Sequence, residues 1–390
     1  MRIGIVLHAT PVYSETFFQN KIIFLKKAGF DIKLYVDSKH KGFHLCKSVK
    51  GFSVQDERFK QFVYLLHACL RLLSSPIRAV NLWKANKKAG FNFKQNALSL
   101  ILSAHILGSN LDWLHFGFAT TAVNRENLAR IIGAKMAVSI RGFDINVYPL
   151  KNNEVYNLLW KRIDKLHYIG DGLLNKAIDL GFSKNITTQK ITPAIDVHLF
   201  KFCERKNRFD EVDFTFTTLA RLNWIKGLNY VLDALRILKV KGYNFQYKII
   251  GEGPEFENLL FTREQLDLNN EVVFTGKLSH DKIKQELKET DIYIQYSIEE
   301  GFCNAVLEAQ AMGCLCVVSD AEGLRENVLD GITGFVVEKR NPILLAEKLI
   351  EVLLMSENRK ITLRNSAIKR IIEEFNLEKQ KTAFIEFYNF

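Results

Sequence analysis

Short apolar runs alternate along the chain with longer stretches whose apolar residues recur every three to four positions. The runs IGIVLHA (3–9), DIKLYVD (31–37), LDWLHFG (111–117), KMAVSIRG (135–142) and KLHYIGDG (165–172) read as strands. Between them lie helical patterns over 17–29, closed by Gly29, and over 119–132. Residues 57–107 form a long helical region in which aromatic and apolar residues are interleaved with Arg71, Arg78, Lys84, Lys87 and Lys88. TTQKITPAID (187–196) follows, its Pro193 marking a loop. The second half repeats the alternation. The runs FTFTTLARL (214–222), YKIIGEGPEF (247–256), VVFTG (272–276), DIYIQYS (291–297), CLCVVSD (314–320) and GFVVE (334–338) read as strands, with helices over 227–241, 255–266, 280–289, 304–312 and 342–355. Strands alternating with helices of this length predict right-handed βαβ units on parallel sheets, hence an α/β chain of two doubly wound domains facing a cleft.

Length and charge refine this picture. A chain of 390 residues exceeds one ordinary core and fits two domains of ~200 residues each. The polar stretch KFCERKNRFDEV (201–212) marks the boundary, so the expected domains are 1–202 and 203–361. Residues 1–200 hold 28 Lys and Arg against 13 Asp and Glu, and the remainder 26 against 30. A basic half joined to a mildly acidic half suits an anionic surface or ligand on the first half. The six cysteines (46, 69, 203, 303, 314 and 316) form no C-x-x-C pair and fit a reducing compartment. The N-terminus reads as a first strand and not a signal peptide, and no run reaches the ~18 to 20 apolar residues of a membrane span. A cytoplasmic location is therefore expected.

Candidate chemistry gathers where strands hand over to helices. In EGFCNAVLE, Glu300 stands at the end of one strand and Glu308 about two turns into the next helix, on the face looking back at the same loop. At such a junction unpaired backbone N–H groups and a positive helix end suit a phosphate. Gly301 leaves room for a substrate, Glu300 can accept sugar hydroxyls, and Glu308 can accept two ribose hydroxyls. In LARLNWIKG (219–227), Arg221 and Lys226 flank a strand-to-helix loop and offer a forked and a point cation to a diphosphate. Gly251 and Gly253 of GEGPEF permit a tight turn and close approach of a ligand. In the first half, HATPVYSETF (8–17), DWLHFG (112–117) and SIRGFDI (139–145) each follow a strand and offer His8, Ser14, Glu15, His115, Arg141 and Asp144. For His115, a satisfied structural histidine is the competing reading.

Taken together, ARLNWIKG, IIGEGPE, VVFTGKLS and EEGFCNAVLEAQAMGCLCVVSDAEGLRENVLDGITGFVV resemble the retaining glycosyltransferases of family four, also called group 1. ITPAIDVHLF, PVYSETFF and LDWLHFG extend the resemblance over nearly the whole chain. It implies the GT-B architecture: two Rossmann-like domains, acceptor side first and nucleotide-sugar donor side second, with the last helix, about 362–390, crossing back onto the first domain. It implies that Arg221 and Lys226 hold the donor diphosphate, that Glu308 binds the ribose, and that Glu300 with Gly301, Phe302, Asn304 and Ala305 holds the donor sugar. Ser14, Glu15, His115, Arg141 and Asp144 fall on the acceptor side. Many relatives carry His-Gly where this chain has Arg141-Gly142, and a guanidinium cannot serve as a base.

The implied activity is a retaining, metal-independent transfer of sugar from a nucleotide-sugar co-substrate, with no other cofactor. The acceptor is a glycan or lipid-linked glycan in surface polysaccharide assembly. The basic region 57–100 would rest on an anionic membrane surface, peripheral to the inner face of the cell membrane, and no nucleic acid is expected as partner. Two alternatives remain within the same architecture. One is a nucleotide-sugar epimerase or phosphorylase; the other is a catalytically degenerate subunit that binds a sugar nucleotide.

Overall fold

A computed structural model describes residues 1–11, 16–40, 42–53, 57–202 and 214–389. The described chain forms two compact units, Met1–Ile191 with Lys381–Phe390 and Thr192–Gln380. The division thus falls at 191/192 and 380/381, not at 202/203 and 361/362. Of the polar stretch 201–212 that marks the expected boundary, residues 203–212 lie outside the described residues.

The first unit is built on a seven-stranded parallel sheet of order β3-β2-β1-β4-β5-β6-β7. Its strands are β1 (Arg2–Ala9), β2 (Asp31–Ser38), β3 (Lys47–Lys50), β4 (Trp113–Phe116), β5 (Lys135–Ile140), β6 (Lys165–Tyr168) and β7 (Thr187–Lys190). The apolar residues of β1 and β2, including Ile3, Ile5, Leu34 and Val36, pack with Phe18 and Ile22 of α1 (Thr16–Lys27) in a closed core. The region 57–107 is three helices: α2 (Arg58–Leu73), α3 (Pro76–Lys88) and α4 (Phe93–Leu107). Pro76 starts α3 at a position where its missing N–H costs nothing, and Asn92 with Gln95 forms a reciprocal capping box that starts α4. The helix expected over 119–132 is two short pieces, Ala119–Ala122 and Leu128–Ile132. TTQK, expected in a loop, is the edge strand β7, and KSVK forms β3 on the opposite edge.

The second unit carries a six-stranded parallel sheet of order β10-β9-β8-β11-β12-β13. Its strands are β8 (Phe214–Leu219), β9 (Phe245–Ile250), β10 (Val272–Gly276), β11 (Ile292–Gln295), β12 (Leu315–Ser319) and β13 (Phe335–Val337). β8 pairs with β9 on one side and β11 on the other, with Ile292 opposite Phe216 and Tyr293 opposite Thr217. The strand order reverses between β8 and β11, and ligands bind in such sheets beyond the carboxyl ends of the strands at that switch point.

The chain ends in two helices, Glu357–Glu374 and Leu377–Tyr388, where one was expected. The first contributes Leu363 to the core of the second unit, so it does not join the first. The end of the second belongs to the first unit, where Phe384, Phe387 and Tyr388 are buried among the β1 and β2 side chains. Lys165 donates to the carbonyl of Phe387 at 2.9 Å, and Gln189 to that of Ala383 at 3.1 Å.

Candidate active site

The loops leaving β8 and β11 are sewn together by their backbones. Leu222, fully buried, anchors the β8 loop. Asn223 then accepts from the N–H of Ile225 at 3.2 Å and starts a single 3₁₀ turn, Trp224–Lys226. Gly227 follows with φ of 63°, a left-handed conformation that costs glycine nothing. A Cβ there would lie 2.3 Å from the carbonyl oxygen of Tyr296, so glycine is also required for the two loops to meet. One residue pair further, the N–H of Ile298 donates to the carbonyl of Ile225 at 2.8 Å.

This seam brings Lys226 and Glu300 together. The Lys226 ammonium donates to Glu300 Oε2 at 2.6 Å, and the Ser297 hydroxyl donates to the same oxygen at 3.2 Å. Both charged side chains are largely covered, with 21% and 14% of their surface exposed. Burial pulls the lysine pKa down, but the attraction and hydrogen bond of Glu300 leave it above the ordinary lysine value. Arg221, on the same loop, is exposed, and its charge is felt at Lys226. The site therefore carries two cations and one carboxylate at the carboxyl end of β8 and β11.

The turn after Glu300 is fixed from behind. The N–H of Gly323 donates to the Glu300 carbonyl at 3.0 Å, and Gly323 lies so close to Gly301 that a Cβ would sit 2.3 Å from its carbonyl oxygen. Asn327 clamps the next peptide, accepting from the N–H of Cys303 at 3.0 Å and donating to its carbonyl at 3.1 Å. The helix Asn304–Ala311 begins there, with Asn304 and Ala305 in its first turn at the end that favours anions. Phe302 is buried, its ring 5.6 Å from that of Phe375. Only its backbone is thus available to a ligand.

Glu308 is the fifth residue of that helix, a little over one turn in and not two. Its carboxylate has no hydrogen-bond or ion-pair partner among the described residues, and burial pushes its pKa up to about 7. A carboxylate kept half-buried without a partner costs stability, and such groups gather where a ligand supplies the missing contacts.

Gly251 and Gly253 serve the loop beside them. Gly251, at φ of 142°, lies against Ala220, whose carbonyl oxygen would be 1.9 Å from an added Cβ. Gly253 lies against Leu222 in the same way, at 2.2 Å, and the N–H of Leu222 donates to the Glu252 carbonyl at 2.9 Å. Both glycines press the β9 loop onto the β8 loop and so hold Arg221 in place.

The residues assigned to the acceptor side fare differently. Ser14 and Glu15 lie outside the described residues. His115 is completely buried, which corrects its assignment to the acceptor surface. Its ring lies 3.2 Å from the Lys21 ammonium, 2.5 Å from the Tyr388 hydroxyl and 2.7 Å from the Ser139 hydroxyl. Ser139 continues to His167 at 2.7 Å, and His167 to the carbonyl of Ile191 at 3.0 Å. This chain of polar groups ties the C-terminal helix into the first unit. Burial, then neighbouring cations, holds Lys21, His115 and His167 well below their usual pKa ranges. Asp144 is also interior: it accepts from the N–H groups of Arg141 and Gly142, each at 3.0 Å, and of Ala119 at 3.1 Å. It shapes the loop after β5 from the interior. Arg141 is partly buried, its guanidinium 3.7 Å from the ring centre of Phe17 and 4.5 Å from that of Phe18. His8 is exposed beside Thr120 and Asp37.

Sequence reasoning missed Ser297, Asn327 and Gly323, which position the Glu300 turn, and the buried network around Lys21. Only the serine's place two residues beyond β11 offered a signal.

Residues 200–370 match the family model described as "Glycosyl transferases group 1". Over these residues the chain is similar to that family. Among curated proteins it is similar to the putative colanic acid biosynthesis glycosyltransferase WcaL of Escherichia coli strain K12, 25% identical with 96% of each chain covered. It is also similar to the N,N'-diacetylbacillosaminyl-diphospho-undecaprenol alpha-1,3-N-acetylgalactosaminyltransferase of Campylobacter jejuni. That relative is 26% identical over 71% of this chain and 78% of its own. Among solved structures, HepE of Anabaena in complex with UDP-glucose superposes with a TM-score of 0.72, at 15% identity, covering 99% of this chain and 98% of the other. Two Rossmann-like parallel-sheet units and these neighbours make the fold GT-B.

Proposed function

We propose that this chain is a group 1 glycosyl transferase and moves a sugar, with retention of anomeric configuration and without a metal ion, from a nucleotide-sugar donor to a glycan or lipid-linked glycan acceptor. The setting is surface polysaccharide assembly at the cytoplasmic face of the membrane. The observation that carries the reading is the Lys226–Glu300 pair of 2.6 Å at the switch point of the second sheet, with Arg221 on the same loop and Glu308, without a partner among the described residues, on the adjoining helix. The colanic acid and undecaprenol-diphosphate chemistry in the relatives' names supports the acceptor class.

In this mechanism Arg221 and Lys226 face the donor diphosphate. The bond between the anomeric carbon and the β-phosphate oxygen breaks, its electron pair leaving with the phosphate, and the two cations stabilise the charge that grows there. The acceptor hydroxyl attacks from the same face and passes its proton to the departing phosphate oxygen. Glu300 and the backbone after Gly301 hold the sugar, and Glu308 accepts from the ribose hydroxyls. Incubation with a panel of labelled nucleotide sugars and a lipid-extracted acceptor, with EDTA present, tests the reading. Lys226→Ala is expected to lower turnover by ~10²–10³-fold while the chain stays folded. Unchanged turnover in that variant, or a product of inverted configuration, overturns it.

A further inference from the structure

At the amino ends of β5 and β6 the first unit holds a cavity of about 400 Å³, within the ~300–1,000 Å³ of small-molecule sites. β4, β5 and β6 run parallel, so the loop that carries Arg141 and Asp144 leaves the opposite end, ~20 Å away along the six residues of β5. Arg130, Lys135, Lys161 and Arg162 bring four cations to the lining, against Glu126 and Asp164. Local structure gathers them. The helix Leu128–Ile132 stops at Gly133, with φ of 77°, and the chain turns into Lys135 at the start of β5. Lys161 and Arg162 follow the helix Asn157–Trp160. Asp164 then ties their turn to β5: its carboxylate accepts from the N–H of Met136 at 2.6 Å, and its own N–H donates to the Met136 carbonyl at 2.9 Å.

The polar groups of this cavity do not satisfy one another. Among the described residues Arg130, Lys161 and Arg162 make no ion pair, and the Nε of Arg162 is buried without a hydrogen-bond partner. The Lys135 ammonium leans toward Trp113, 5.4 Å from its ring centre. Glu126 is only 5% exposed. Its Oε1 accepts from the N–H of Asn124 at 3.1 Å, while Oε2 has no hydrogen-bond partner among the described residues. Burial pushes this carboxyl up to about 7, so at neutral pH it opposes an anion only weakly. A buried acceptor without a donor costs stability, and gathered like charges repel. A ligand that carries both an anion and a hydroxyl relieves the two together.

We propose that this cavity binds a phosphorylated sugar, its phosphate held by Arg130, Lys161 and Arg162 and one of its hydroxyls donating to Glu126 Oε2. The guanidinium groups match phosphate oxygens in pairs and the lysine adds a point charge. Phosphate alone leaves Glu126 without a donor, and a neutral sugar leaves the cations without an anion. The inference goes beyond the sugar transfer proposed above and does not rest on it, because no residue of the second unit enters.

Calorimetric titration of the full chain with glucose 6-phosphate, inorganic phosphate and glucose tests it. Saturable binding of glucose 6-phosphate is expected, with phosphate at least ~10-fold weaker and no binding of glucose. Arg130→Gln with Lys161→Gln, both exposed and so harmless to folding, should weaken glucose 6-phosphate at least ~10-fold. Lys87→Gln with Lys88→Gln, exposed on α3 outside the cavity, should leave it unchanged. Lys226→Ala should leave it unchanged as well, which separates this cavity from the candidate active site. Glu126→Leu should reduce the affinity for glucose 6-phosphate to that for phosphate, and Glu126→Gln, whose amide oxygen still accepts, should restore most of the difference. No saturable binding by the native chain overturns the proposal, as does equal binding of phosphate and glucose 6-phosphate. Equal losses in the two double variants, or binding lost in Lys226→Ala and kept in Arg130→Gln with Lys161→Gln, overturn it too.

Discussion

Glu308→Gln should make the protein more stable while impairing donor binding. The Glu308 carboxyl titrates near 7 in the folded chain and near 4.5 unfolded, because burial disfavours its charged form. Between those values the folded chain keeps a proton that the unfolded chain has released. Stability therefore falls as pH rises through that window, and the full cost is present above pH 7. At ~1.4 kcal/mol per pH unit the ceiling is ~3 kcal/mol. Solvent reaches the half-buried side chain, which reduces the expected cost to ~1–2 kcal/mol. Glutamine has nearly the same shape and no charge. Urea unfolding followed by circular dichroism should show Glu308→Gln more stable than the native chain by ~1–2 kcal/mol at pH 8, with the gain vanishing near pH 4.5. The proposed ribose contact requires the opposite sign in binding, since a neutral amide accepts less well than a carboxylate. A variant no more stable at pH 8, or one with the same gain at both pH values, would refute the reasoning.

Three further outcomes follow from the geometry. Gly227→Ala places a Cβ 2.3 Å from the Tyr296 carbonyl oxygen in a left-handed backbone, so it should lower unfolding stability by more than ~2 kcal/mol and abolish transfer. Lys21→Met should raise stability: the buried ammonium has a depressed pKa, so the native chain loses stability as pH falls below the ordinary lysine value, and urea titrations of the variant should lack that slope. His115 keeps Ser139 and Tyr388 as partners in that variant. Glu300→Gln removes the ion pair with Lys226 but keeps the shape of the turn, so steady-state assays should show turnover lowered ~10-fold or more with melting nearly unchanged.

The period of the apolar pattern made the two parallel sheets legible, because buried parallel strands read as continuous apolar runs flanked by helical stretches. The switch-point loops were legible too, since Arg221, Lys226, Gly227 and Glu300 lie in the stretches that follow the apolar runs of β8 and β11. Edge strands β3 and β7 were not, being short and polar: KSVK and TTQK carry little apolar signal. The C-terminal helix was read as one piece because Phe375 and Asn376, which separate its two halves, are no strong breakers. His115 misled because a histidine near the carboxyl end of a strand looks the same whether it faces solvent or, as here, a lysine buried 94 positions away in sequence. Pairings of that range leave no local trace.

The central claim is that a diphosphate lodges beside Arg221 and Lys226 at the carboxyl end of β8 and β11. Calorimetric titration of the native chain with a panel of nucleoside diphosphates, in EDTA, tests it most directly. The account predicts saturable binding to at least one of them, weakened at least ~10-fold by Lys226→Ala, at 1.4 kcal/mol for each factor of ten. Binding of equal strength in the native and Lys226→Ala chains would contradict it.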